Sequence, residues 1–131
     1  EEAKIHQNAM QLVEFLNLQS VALRKVSDLP FGTQKRVELA RALASQPKLL
    51  LLDEPASGLN HEEVNALGHL IKRIRDEFKI TVLLVEHHMS LVMSISDKVV
   101  ALNFGKKIAD DTPAEVRQHP DVIQAYLGSS K

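Results

Sequence analysis

Leu49-Leu50-Leu51-Leu52-Asp53-Glu54-Pro55 is the stretch on which the fold turns. An unbroken apolar run of strand length that stops abruptly at two carboxylates reads as a β-strand buried on both faces, carrying acids to the carboxyl edge of a parallel sheet. Open α/β sheets bind their ligands at that edge. Pro55 has no amide donor and cannot extend a ladder, so the chain turns there and leaves both acids at the rim. Taken alone, the same residues also describe a core strand followed by an acidic turn, because Asp and Glu are common in turns and first helical turns.

The flanking stretches supply the context. Upstream, Ile5, Ala9, Leu12, Val13 and Leu16 recur at helical spacing and predict an amphipathic packing helix that ends near Asn17. Residues 21–28 read as a short helix or loop. It leads into Leu29-Pro30-Phe31-Gly32-Thr33-Gln34, after which residues 33–45 are good helix formers with Val37, Ala40, Leu43 and Ala44 on one side, stopped by Pro47. The turn at Gly32 therefore opens directly into a helix N-terminus. Lys35, Arg36 and Arg41 read as a solvated face of that helix. Downstream, Ala56-Ser57-Gly58-Leu59 is a loop, and Asn60 with Glu63 has the spacing of a capping box. A helix over 61–77 follows, with Val64, Leu67, Ile71, Ile74 and Phe78 as its buried stripe and Lys72, Arg73, Arg75 and Asp76 facing water. A second buried strand over 80–86, rich in Val, Ile and Thr, again ends in a polar cluster, Glu86-His87-His88. Strand, helix, strand in that order is a right-handed parallel βαβ unit. A short helix from Met89, a hairpin of strands at 98–102 and 106–109 turning at Asn103-Phe104-Gly105, a helix started by Thr112, Pro113 and Glu115, and a last short helix near 121–126 complete the chain.

Composition narrows the class. A chain of 131 residues with 44% hydrophobic and 25% charged residues has enough apolar side chain for one cored domain. A net charge of −1 gives no long-range attraction to nucleic acid, so nucleic acid is not expected as a partner. With no cysteine, disulfides and thiolate metal sites are excluded. His87 and His88 are adjacent on a strand end and point to opposite faces, while His61 and His69 lie eight apart on a helix, so neither pair reads as a metal site. The apolar runs at 49–52 and 80–85 are far shorter than a membrane span.

Three polar sites thus stand in a fixed order: Gly32 at a helix N-terminus, Asp53 and Glu54 at one strand end, and His87 at the next. Here the sequence resembles the ATP-binding subunit of ABC transporters, nearly end to end. Leu29, Pro30, Phe31, Gly32, Thr33 and Gln34 look like the family signature motif, residues 49–54 like its Walker B strand, Ser57, Gly58, Leu59 and Asn60 like its D-loop, and His87 like its switch histidine. Four motifs in family order and spacing are specific where one would not be. The resemblance implies ATP and Mg²⁺ as cofactors. Asp53 would hold Mg²⁺ through its water shell, Glu54 would act as general base toward the attacking water, and His87 would reach the γ-phosphate. The signature turn would set a helix N-terminus against the nucleotide of a second ATPase subunit. The implied fold is a partial P-loop NTPase (ABC ATPase) fold: α/β, with a mostly parallel sheet flanked by helices. Residues 1–47 would be the end of the helical subdomain with the signature helix, and residues 48–131 half of the catalytic core with a C-terminal hairpin and short helices.

The commonest family signature has Ser-Gly-Gly where this chain has Pro30-Phe31-Gly32. Leu-Pro-aromatic-Gly is similar to the ATPases of branched-chain amino-acid importers, and so are Glu86-His87 before Met89, the run at 91–97 and the ending Asp121-Val122-Ile123-Gln124-Ala125-Tyr126-Leu127-Gly128. His88 stands where that subgroup usually has an acid. Nowhere do the 131 residues contain G-x-x-x-x-G-K-[ST], the phosphate-cradling Walker A loop. By the resemblance, residue 1 corresponds to a point well inside the family domain and the chain is truncated relative to it. Alone it is expected not to hydrolyse ATP, the activity belonging to a parent subunit on the cytoplasmic face of the inner membrane, in contact with membrane subunits. In the family fold the Walker A strand lies between the switch-histidine strand and the strand at 98–102. Without it sheet edges stay unpaired, and self-association of the chain is expected. A non-catalytic interaction or dimerisation module is the alternative function.

Overall fold

The computed structural model describes residues 1–128, which fall into two compact units divided between Val85 and Glu86.

In the first unit, α1 (Glu2–Phe15) packs on α2 (Phe31–Ala44), with single 3₁₀ turns at Gln19–Val21 and Val26–Asp28 between them. Leu12, Leu16 and Leu18 from the α1 side and Leu39 and Leu43 from α2 are buried. Ile5 is exposed, so the apolar stripe of α1 reaches the core only from its last two turns. The half-buried Arg36 guanidinium donates to the Leu16 and Asn17 carbonyls at 3.1 and 3.3 Å. It thereby serves two of the carbonyls that a helix C-terminus leaves without intrahelical donors. The expected solvated face thus carries a structural cation.

Next come β1 (Leu49–Asp53), α3 (His61–Phe78) and β2 (Thr81–Val85), and β1 pairs with β2 in parallel, Leu49 opposite Thr81 through Asp53 opposite Val85. The βαβ unit is as the periodicity predicts. The capping box is formed: Asn60 Oδ1 accepts from the Glu63 amide and Glu63 Oε2 from the Asn60 amide, each at 2.9 Å. Val64, Leu67, Ile71 and Ile74 are buried, and the Phe15 and Phe78 rings stand edge to face with centroids 4.9 Å apart. Two-sided burial of β1 is corrected. Leu50 is buried and Leu52, Val82 and Leu84 are half-buried, but Leu51 is 64% and Leu83 59% exposed, on a face they share with Leu49 and Val85. A parallel pair alternates its side chains between two faces, and only one face of this pair is covered.

In the second unit, α4 (Met89–Ile95) is followed by β3 (Val99–Asn103) and β4 (Lys106–Asp111), an antiparallel pair with a register shift at Ala101/Leu102. Asn103 pairs with Lys106, and both loop residues have positive φ, 49° at Phe104 and 75° at Gly105. That is a two-residue turn of the I′ kind, whose twist matches the strands it joins. Then come α5 (Pro113–Gln118), with Thr112 Oγ1 accepting from the Glu115 amide, α6 (Pro120–Val122), and a π-helical turn at Ile123–Leu127. Val99, Ala101, Ala109, Val116 and Val122 form this unit's core, with Met89, Val92, Met93 and Ile108 against it. The Tyr126 hydroxyl donates to the Leu102 carbonyl, tying the last turn to the hairpin.

Among the described residues the strands form two separate two-stranded sheets. No described helix is long and apolar enough to cross a membrane.

Candidate functional site

The strand β1 does what its sequence requires and delivers Asp53 to its carboxyl end, exposed. Glu54 follows with φ of 47°, a left-handed backbone that costs a non-glycine residue roughly 1–2 kcal/mol. Its amide still donates to the Val85 carbonyl at 2.8 Å, so the parallel ladder runs one residue beyond the strand before the chain leaves the sheet. Strain of this kind persists where the surroundings over-determine it, and it concentrates at functional positions. Pro55, the buried Ala56 and two successive turns, Ser57 N–H to Glu54 carbonyl and Leu59 N–H to Ala56 carbonyl, carry the chain to Asn60 and the head of α3.

The stretch Leu29–Gln34 is anchored at both ends. Leu29 is buried, its carbonyl accepts from Gln34 Nε2 at 3.0 Å, and Pro30 caps α2 with no side-chain hydrogen bond to the helix. Helix α2 begins at Phe31, two residues earlier than the sequence periodicity indicates, so Phe31, Gly32 and Thr33 form its first turn. First-turn amides have no acceptor within the helix, and the helix dipole adds partial positive charge there. Thr33 Oγ1 accepts from Arg36 at 3.4 Å, and the Lys35 ammonium lies 5.2 Å from the centre of the Phe31 ring.

The first unit brings two of the candidate segments into contact. A β-carbon built on Gly58, where φ is 80°, would stand 2.9 Å from Phe31 Cε1; one built on Gly32 would stand 2.9 Å from Glu63 Oε1. The turn Leu29–Gln34 therefore meets the loop Ser57–Asn60 at Gly58 and the first turn of α3 at Gly32. Sequence reading singled out both segments but not Glu63's second contact. The capping-box spacing was visible, whereas the reach of its carboxylate to Gly32 depends on tertiary placement.

His87 belongs to the second unit. The Glu86 carboxylate, with its side chain 1% exposed, accepts from the amides of both His87 and His88 through Oε2, at 3.0 and 3.2 Å, and holds the loop before α4. The His87 ring is exposed, with Nδ1 4.0 Å from that carboxylate. His88 Nδ1 and the Ser90 hydroxyl share a 3.1 Å hydrogen bond at the start of α4. Glu86 was legible only as a neighbour of His87, because nothing in the sequence says that its side chain turns inward. Among the described residues no three His, Asp or Glu side chains gather as a metal cage.

The family model described as "ABC transporter" matches residues 1–57, and that described as "Branched-chain amino acid ATP-binding cassette transporter" matches residues 106–131. The chain is 48% identical over 122 residues to the high-affinity branched-chain amino acid transport ATP-binding protein BraF of Pseudomonas aeruginosa, covering 93% of this chain and 48% of that protein. It is 46% identical over 118 residues to LivG of Escherichia coli K12, another high-affinity branched-chain amino acid transport ATP-binding protein, covering 90% of this chain and 46% of that one. The crystal structure of the ADP conformation of MJ1267, an ATP-binding cassette of an ABC transporter, superposes with a TM-score of 0.85 at 28% identity, over 96% of this chain and 51% of that one. The chain spans about half the length of the curated relatives it matches.

Proposed function

We propose, for a chain whose sequence and fold are those of part of an ABC transporter ATP-binding protein, that it belongs to an ATP-hydrolysing subunit powering import of branched-chain amino acids. The observation that carries the proposal is the contact of two motif segments in the unit that also bears the acidic strand end: Phe31 against Gly58, Gly32 against Glu63, and Asp53-Glu54 at the end of a parallel pair. The substrate class rests on likeness to BraF and LivG.

The residues present fit a nucleotide and Mg²⁺ in part. The first turn of the 14-residue α2 has no side-chain cap and would take phosphate oxygens on its amides. Asp53, an exposed carboxylate at the end of β1, would suit Mg²⁺, which keeps several waters and binds through one or two carboxylates and phosphates. Bound Mg²⁺-ATP supplies the phosphoryl group and neutralises charge on it. Glu54 orients a water and takes its proton at the carboxylate, with the backbone beneath it fixed by the bond to Val85. His87 donates or accepts at an exposed ring whose backbone Glu86 holds. Leu29, Pro30, Phe31, Gly32, Thr33 and Gln34 present the helix end across an interface to a second ATPase subunit, and Ser57, Gly58, Leu59 and Asn60 line that interface. Membrane subunits of the transporter are the other partners, which puts the assembled protein on the cytoplasmic face of the membrane.

The Walker A cradle is not among these 131 residues, so the chain by itself is expected neither to bind Mg²⁺-ATP tightly nor to turn it over. Calorimetric titration of Mg²⁺-ATP into the purified chain tests this. No heat is the expected result. Saturable binding, or turnover abolished by Glu54→Gln, would overturn the division of the site between this chain and the rest of a parent subunit. A non-catalytic interaction module is the second reading, favoured by the exposed apolar face of Leu49, Leu51, Leu83 and Val85.

A further inference from the structure

We infer that Glu63 is a positioning residue that locks the first turn of α2 to the loop 57–60, so that the two segments move as one piece. This rests on the nucleotide-facing role proposed for the first turn of α2.

One carboxylate serves two elements. Oε2 accepts from the Asn60 amide and closes the capping box of α3, while Oε1 occupies the space a β-carbon on Gly32 would need. Because the capping bonds hold Glu63 at its backbone amide and at its side-chain carboxylate, the carboxylate cannot swing aside without opening the head of α3. The reverse contact has the same form. The Phe31 ring on α2 fills the space over Gly58, which sits in the loop that α3 grows from. The first turn of α2 supplies Phe31 and Gly32, and the loop with the head of α3 supplies Gly58 and Glu63, each large side chain facing the other's glycine. The Oε1 atom also sets negative charge beside the positive end of α2, which favours the same docked arrangement. Displacing the loop drags the Asn60 cap, the cap drags Glu63, and Glu63 drags the turn whose amides face the phosphate.

A double-substitution cycle on the 131-residue chain tests the lock, with stability read by urea unfolding. With Glu63 present, Gly32→Ala should lower the folding constant about tenfold, as expected for coupled neighbours. In the Glu63→Ala background the same change should raise it by up to about fivefold, since alanine is the better helix former. Amide resonances of Phe31, Thr33 and Gln34 should shift in Glu63→Ala and return in Glu63→Gln, which keeps the reach and an acceptor oxygen. Additive effects at 32 and 63, or unmoved resonances in Glu63→Ala, overturn the lock. ATP turnover by an assembly containing this sequence separates the two layers. A loss of kcat in Glu63→Ala restored by Glu63→Gln supports the positioning role. Coupling between 32 and 63 in an assembly that never turns over ATP refutes the functional reading and the positioning role with it, leaving only a structural contact.

Discussion

Glu54 holds a conflict between chemistry and backbone at a single residue. Left-handed φ suits glycine or asparagine, and among the described residues four other non-glycine ones, Asn17, Gln46, Lys79 and Phe104, share it, each at the end of a helix or in a turn. At Glu54 the conformation takes the carboxylate out of the alternation of β1. Glu54→Gly should relieve the backbone and stabilise the chain by up to about 1 kcal/mol in urea unfolding. In the ATP-hydrolysing subunit proposed above, the same change should abolish turnover. A gain in stability coupled to a loss of activity is the mark of strain retained for function; a substitution that destabilises would show that the side chain anchors the turn instead. The sequence named Asp53 and Glu54 because apolar runs rarely stop at paired acids. It could not show the left-handed backbone, since Glu has no preference for it, nor the inward turn of Glu86, since one glutamate looks like another until its surroundings are known.

Among the elements, local chemistry was legible and ends less so. Apolar periodicity and capping signals placed α1, α2, β1, α3, β2 and the hairpin, with the start of α2 displaced by two residues, because Pro30 can serve as a cap while Phe31 and Gly32 enter the helix. The π-turn at Ile123–Leu127 left no mark in the spacing, because its hydrogen bonding departs from the 3.6-residue repeat. The hairpin supports two expectations. Phe104 is 98% exposed in a turn position that favours asparagine, so Phe104→Asn should add about 1 kcal/mol to stability, measured by thermal or urea unfolding. Asp110 accepts from Lys98 at 3.1 Å and from Lys107 at 3.3 Å, and these bonds hold its carboxyl below the usual carboxylate range. Its contribution is therefore complete above the ordinary carboxylate pKa and fades as pH falls through the lowered value. NMR titration should find the Asp110 carboxyl titrating below its unfolded value, and returning toward it in Lys98→Ala.

At the scale of the whole molecule, sequence patterning misjudged exposure. Four consecutive leucines promised two covered faces, yet Leu49 and Leu51 on β1 and Leu83 and Val85 on β2 face outward. Hydrophobicity reports what a residue would bury in a complete neighbourhood, whereas exposure depends on what is there to cover it. A contiguous apolar patch of this kind drives association. Sedimentation of the chain should show reversible self-association, and Leu51→Asp with Leu83→Asp should weaken it by at least about tenfold, given roughly 1.5–3 kcal/mol per buried leucine. A strictly monomeric chain at high concentration would overturn that expectation.

The ring of Phe31 seated over Gly58 also has a meaning for descent. A family member that carries glycine in place of Phe31 has no ring to accommodate, so the constraint on position 58 loosens to whatever its backbone φ tolerates. Positions 31 and 58, separated by a helix and a strand, are then one inherited character. Where Phe31 gives way to glycine, position 58 should accept what its φ of 80° allows, asparagine first, and a chimera that takes such a residue with Phe31 still in place should be destabilised.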